Sequence, residues 1–175
     1  MNRVTKVTIF SAIFLVFRLV SSASDLVNPN SHSLFKIGRS KDANEIFYEV
    51  KTTPSGTLDL KEPVKIYWKK YTDNSAIEPL TKIQQHFAYG LKFLEVTAEK
   101  AVFQFVSYSK RTLLLRKDNT GKYAVFTEVE GKIVELERVF IQIDGGTFWF
   151  PKISRVEVHA KKAEANELVV EVIRP

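Results

Sequence analysis

Three histidines are the first residues in this chain whose type could carry chemistry: His32, His86 and His159. Their spacing fits no metal-binding pattern, because an H-E-x-x-H helix would place two imidazoles one turn apart on one face. No G-x-S-x-G elbow and no phosphate-cradling glycine loop occurs. Glu157 stands two residues before His159, so the two share a strand face as surface pairs do. The chain has no cysteine, which excludes thiol catalysis, zinc–thiolate sites and iron–sulfur clusters. Carboxylates are plentiful, yet no separation between any two is fixed by the sequence, so a glycosidase pair has no support. A Ser/His/Asp triad assembles from distant segments and leaves no local signature, which keeps a hydrolase as a distant third reading.

Binding has better material. Tyr48, Tyr67, Trp68, Tyr89 and Trp149 offer large contact area with a polar tip, the chemistry of a pocket lining. Arg39 and Lys41 lie in a polar turn and suit an anionic ligand or a glycan. Against this, Trp68 is in phase with Val64 and Ile66 and belongs on the core side of its strand. Phe87 and the aromatic run 148–150 are also core candidates. Tyr67 and Tyr89 fall on the polar side of their elements, with His86 on the helix flank. The candidate contact residues are therefore Tyr67, His86, Tyr89, Arg39 and Lys41, with no catalytic residue, metal or cofactor expected.

The element that must position most of them runs from 63 to 96. Here alone the apolar period changes from about 2 to about 3.6. Val64, Ile66 and Trp68 alternate with Lys65, Tyr67 and Lys69, as in a half-buried strand. Thr81 followed by Gln84 makes a capping box, and Gly90 supplies a stop, which predicts one short helix near 80–90. Leu80, Ile83 and Phe87 form its apolar stripe, with Lys82, Gln85 and Tyr89 opposite. So short a helix is unstable alone and should dock that stripe on a sheet.

The rest alternates as strand: 34–39, 45–51, 91–97, 101–108, 112–117, 122–130, 132–144, 153–160 and 168–173. Turn residues separate these runs, including 40–44, 54–56, 118–121 and 144–146. The alternation of 132–144 slips near 135–138, which predicts a bend or bulge. The expected fold is all-β, an antiparallel barrel or sandwich of about ten strands with one short helix inserted.

Residues 1–23 read as a signal peptide. Arg3 and Lys6 precede the apolar run 7–17, and Ser21 and Ala23 suit cleavage after Ala23. The run is shorter than the roughly 20 residues a membrane helix needs, so no anchor is expected after cleavage. The whole chain carries 26 basic and 20 acidic residues. Arg3, Lys6 and Arg18 leave with the signal, so 24–175 is a single β-rich domain with a net charge of +3. That is an ordinary solubility charge, without the concentrated basic face nucleic acid requires. A domain of this length can bury roughly two-thirds of its unfolded surface, enough for a core without disulfides.

The segments Arg39-Ser40-Lys41-Asp42-Ala43-Asn44, Ile46-Phe47-Tyr48-Glu49, Lys65-Ile66-Tyr67-Trp68 and Ala88-Tyr89-Gly90-Leu91-Lys92 resemble a bacterial family of exported proteins. That family is known only as the domain of unknown function numbered 4833, found chiefly among Bacteroides relatives. The resemblance is strongest over 34–92. It implies an exported, periplasmic or extracellular single-domain protein and assigns no activity or functional residue. Two roles follow for a cell-envelope domain: a non-catalytic module binding an apolar or sugar-like ligand, or an interaction module binding another envelope protein. An enclosed apolar cavity would favour the first, and a filled interior with an exposed aromatic patch the second.

Overall fold

The computed structural model describes residues 32–147, 150–162 and 167–175. The expected signal peptide, most of the polar lead-in and Trp149 lie outside the described residues. Eleven strands form one curled sheet, a half-barrel: β1 (Ser33–Arg39), β2 (Asp42–Val50), β3 (Val64–Lys70), β4 (Ala76–Pro79), β5 (Leu91–Val96), β6 (Lys100–Phe105), β7 (Tyr108–Lys117), β8 (Tyr123–Val129), β9 (Lys132–Gly146), β10 (Pro151–Lys162) and β11 (Leu168–Ile173).

The long strand β9 is its spine. Glu135 pairs with Phe126 of β8 on one side and Lys161 of β10 on the other. Three residues on, Arg138 pairs with Lys36 of β1 and His159 of β10. β8 and β1 therefore lie end to end along one edge of β9, while β10 runs along the other and carries β11. Two wings grow from the fork, β1-β2-β3-β4 and β8-β7-β6-β5. Between the two partners the register with β10 slips, leaving Glu137 as an extra residue. This is the bulge expected near 135–138, and it bends the spine where the sheet divides.

The wings curl over a shared core. Phe35 of β1 stacks on Tyr48 of β2 at 4.2 Å, and Phe105 of the other wing meets both edge-on at 5.9 Å. Phe103, Leu113, Leu115 and Val125 are wholly buried behind them. Trp68 joins this core, as its phase with Val64 and Ile66 requires. Tyr48, weighed above as a pocket aromatic, is fully buried and belongs to the core instead.

The pairing departs from expectation in three places. All neighbours are antiparallel except β1 and β9, which run parallel; residues 40–131 connect them, far more than the dozen a parallel crossover needs. β4 was not expected; it follows a turn in which Asn74 and Ser75 take φ of 47° and 59°. β9 runs on through Gly145 and Gly146, so Gly146 still pairs with Pro151 of β10, and the Phe150 amide donates to Thr147 Oγ1. His32, expected in a loose lead-in, is tied down: its Nε2 donates to the Tyr123 carbonyl at 2.5 Å.

Candidate functional site

The half-barrel stays open between β3 and β5, which face one another without pairing. One end of this seam is fastened by the Leu58 amide, which donates to the Ala98 carbonyl at 2.9 Å. The other end is bridged by the helical segment between β4 and β5. That segment begins as expected. Thr81 Oγ1 accepts from the Gln84 amide at 3.2 Å while Gln84 Oε1 accepts from the Thr81 amide at 3.0 Å. After one α turn, α1 (Lys82–Gln84), the chain widens into a π turn over Gln85–Tyr89.

The expected docking face is overturned. Ile83 is 53% and Phe87 71% exposed, while Tyr89, assigned to the outer side, packs on the core. Only Leu80 of the expected stripe is buried, and it precedes the N-cap. A π turn closes i→i+5 rather than i→i+4, so each residue after Gln84 falls behind the 3.6 period. Polar pegs hold the segment in place of an apolar stripe. The Tyr48 hydroxyl donates to the Tyr89 carbonyl at 2.7 Å, Ser107 Oγ to the Ala88 carbonyl at 2.7 Å, and Trp68 Nε1 to Gln84 Oε1 at 3.3 Å. Gly90 ends the turn for lack of space and not for a left-handed conformation: its φ is −68°, and a Cβ there would lie 1.8 Å from the Gln85 carbonyl oxygen.

The five candidate residues divide. Arg39 and Tyr89 meet beneath the helix, where Arg39 Nη1 donates to the Tyr89 hydroxyl at 3.0 Å. The same guanidinium lies 4.8 Å over the Trp68 ring and pairs with Asp42. These two residues fasten the helix to β1 and β3. Lys41 is exposed in the β1–β2 turn, two residues beyond Arg39. Tyr67 and His86 do come together, on a cleft of about 920 Å³ that fills the seam.

Val64, Ile66, Leu91 and Phe93 give this cleft an apolar side, and Lys82 and His86 line it from the helix. Tyr67 stacks on Phe47 at 5.8 Å, with Lys65 Nζ 5.7 Å from its own ring. Burial, then a hydrogen bond to the Glu49 carboxylate, pushes its phenol up to about 12, so at neutral pH it is a protonated donor. The sequence reading missed Ile77, 62% exposed on the cleft's β4 side. Ile83 and Phe87 are exposed on the helix but do not line the cleft. The ring of His86 meets Phe87 edge-on at 4.8 Å.

The other histidines are engaged elsewhere. His159 Nε2 lies 3.1 Å from Glu157, which also pairs with Arg155. Among the described residues no group of His, Asp and Glu converges to hold a metal ion, and no helix is long and apolar enough to cross a membrane. No curated protein and no solved structure matches the chain. Residues 35–172, which take in nearly all of the half-barrel from β1 to β11, match a family profile, and the chain belongs to the family described as Domain of unknown function (DUF4833).

Proposed function

We propose that the protein is an exported, non-catalytic binding module that engages a partner protein at the seam of its half-barrel. The observation that carries this reading is the helix, which turns Ile83 and Phe87 outward while polar contacts do the fastening. Two large apolar side chains held in solvent on an element that borders an open cleft favour contact with another surface there. The interior behind it is filled by the shared core, which favours a partner surface over an enclosed small-molecule cavity. Function placed on an irregular element over a rigid sheet is also the common arrangement. Export rests on the basic, apolar and small-residue pattern of 1–23.

Site-specific photo-crosslinking in the native host tests this, with the probe at Phe87 and a control probe at Lys117. A discrete adduct is expected from Phe87, lost on Ile83→Asp and absent from Lys117; no adduct from Phe87 sinks the reading. The intact mass of the protein recovered from the envelope or medium checks export, with cleavage after Ala23 expected. A second reading, a ligand seated in the cleft, draws on its volume, which lies within the range of small-molecule sites. A retained small molecule lost on Tyr67→Ala would favour that reading.

A further inference from the structure

The sheet has free edges besides the seam, and they differ in how they are protected. β4 has only four residues and ends on Pro79. β5 carries Lys92 and Glu95 and is bulged between Phe93 and Glu95. Short length, proline, charge and bulges are the devices that stop an edge from pairing with another chain. β11 has none of them on its outer face. It spans six residues, LVVEVI, and among the described residues pairs only with β10. Leu168, Val170 and Val172 project from its outer face and are 66%, 49% and 43% exposed. The inner face is already used: Val169 and Ile173 pack on the core clusters, and Glu171 is held by Arg111. The strand's one charge is thus neutralised within its own subunit and is not offered to an incoming strand.

We infer that β11 is an interface between two copies of this chain, paired antiparallel about Val170. The register follows from the strand itself. Centred on Val170, Leu168 lies opposite Val172 of the partner subunit, so every outer-face pair is apolar. Glu171 falls opposite Val169 of the partner subunit. Centring on Glu171 would instead oppose two carboxylates, and any one-residue slip would turn the apolar set to the wrong face. Nearby charges do not oppose this register. Glu167, just before the strand, is held by Lys162 of its own subunit and so leaves no unpaired acid to oppose the approach. On β10 next door, Lys161 pairs with Leu168 and Glu157 with Val172. Both are already paired within their own subunit, Lys161 with Glu137 and Glu157 with Arg155, so neither opposes the approach. The two-fold makes the contact self-complementary and closed.

A contact of one strand per subunit is at the small end of interface sizes, so the dimer should depend on concentration. Sedimentation velocity on the mature chain up to about 0.5 mM should show the mass rising from monomer toward dimer, as a weak association requires. Val170→Lys, which sets like charges face to face on the axis, should weaken association at least about tenfold. The absence of native cysteine allows a second, independent readout. Opposed strand residues have Cα atoms about 4.5–5.5 Å apart, within disulfide range. Val170→Cys should therefore cross-link to itself under mild oxidation, and Leu168→Cys combined with Val172→Cys should cross-link twice, while Leu168→Cys alone should not. Ile133→Cys, exposed on β9, is the control. A monomer at every concentration overturns the inference, as does Val170→Cys cross-linking no faster than Ile133→Cys. If Val170→Lys fails to fold, the cysteine pattern alone decides.

Discussion

Arg39 is the last residue of β1, and its environment decides what it does. Its guanidinium lies over Trp68, hydrogen-bonds Tyr89 and pairs with Asp42, all within one half-buried pocket beneath the helix. Only a planar group can stack on a ring and point donors at two partners at once, so lysine is not an equivalent there. One atom counts against it, since Nε is buried without a hydrogen-bond partner among the described residues. The net loss in Arg39→Lys should accordingly be modest, about 1–2 kcal/mol by urea unfolding. Lys41→Ala, in the same turn but exposed, should change stability by less than about 0.5 kcal/mol. Equal losses would mean that Arg39 is as solvated as Lys41. Residue type and the turn pattern brought both side chains to notice. What separated them is the fold's long-range contact with Tyr89, fifty residues away, which no local spacing carries.

At the scale of the element, the helix shows where periodicity stops being a guide. Its start was legible, because a capping box is a local device written in two residues, Thr81 and Gln84. Its face was not, because the wide turn over Gln85–Tyr89 leaves the 3.6 period after a single α turn. Sheet elements were read better: the bulge at Glu137 and most strands follow from two-residue alternation, which survives tertiary context. β4 escaped notice because four residues ending in proline carry too little pattern. The helix geometry has a measurable consequence. Phe87→Ala should be within about 0.5 kcal/mol of the parent, as for an exposed residue. Tyr89→Ala removes a core contact and the Arg39 partner and should cost about 2 kcal/mol or more. Gly90→Ala forces a methyl against the Gln85 carbonyl and should cost at least about 3 kcal/mol. Urea denaturation of the three variants orders them, and a larger loss for Phe87→Ala than for Tyr89→Ala would restore the apolar stripe as the docking face.

For the whole molecule, the sequence left barrel and sandwich undecided, and the fork at β9 explains why both were reasonable. A sheet that divides along one edge of its spine gives two wings facing each other, as in a sandwich, yet it remains one hydrogen-bonded sheet, as in a barrel. The decisive pairing, β1 beside β9, joins segments about a hundred residues apart in sequence and runs parallel, against the pattern of every hairpin around it. What keeps the wings from opening is side-chain contact across the core. Phe35 and Tyr48 come from one wing and Phe105 from the other, in edge-on contacts at 5.9 Å. Aromatic pairs of this geometry contribute about 0.5–1.5 kcal/mol beyond their buried area. A double-mutant cycle with Phe35→Leu and Phe105→Leu should therefore return a coupling energy of about 0.5–1.5 kcal/mol. The same coupling should make the wings unfold together, so fluorescence of Trp68 in the first wing and far-ultraviolet dichroism of the whole sheet should give coincident urea transitions. Additive effects with two separated transitions would show instead that each wing is stabilised by its own pairing along β9, and that the core between them is a contact surface between two independent units.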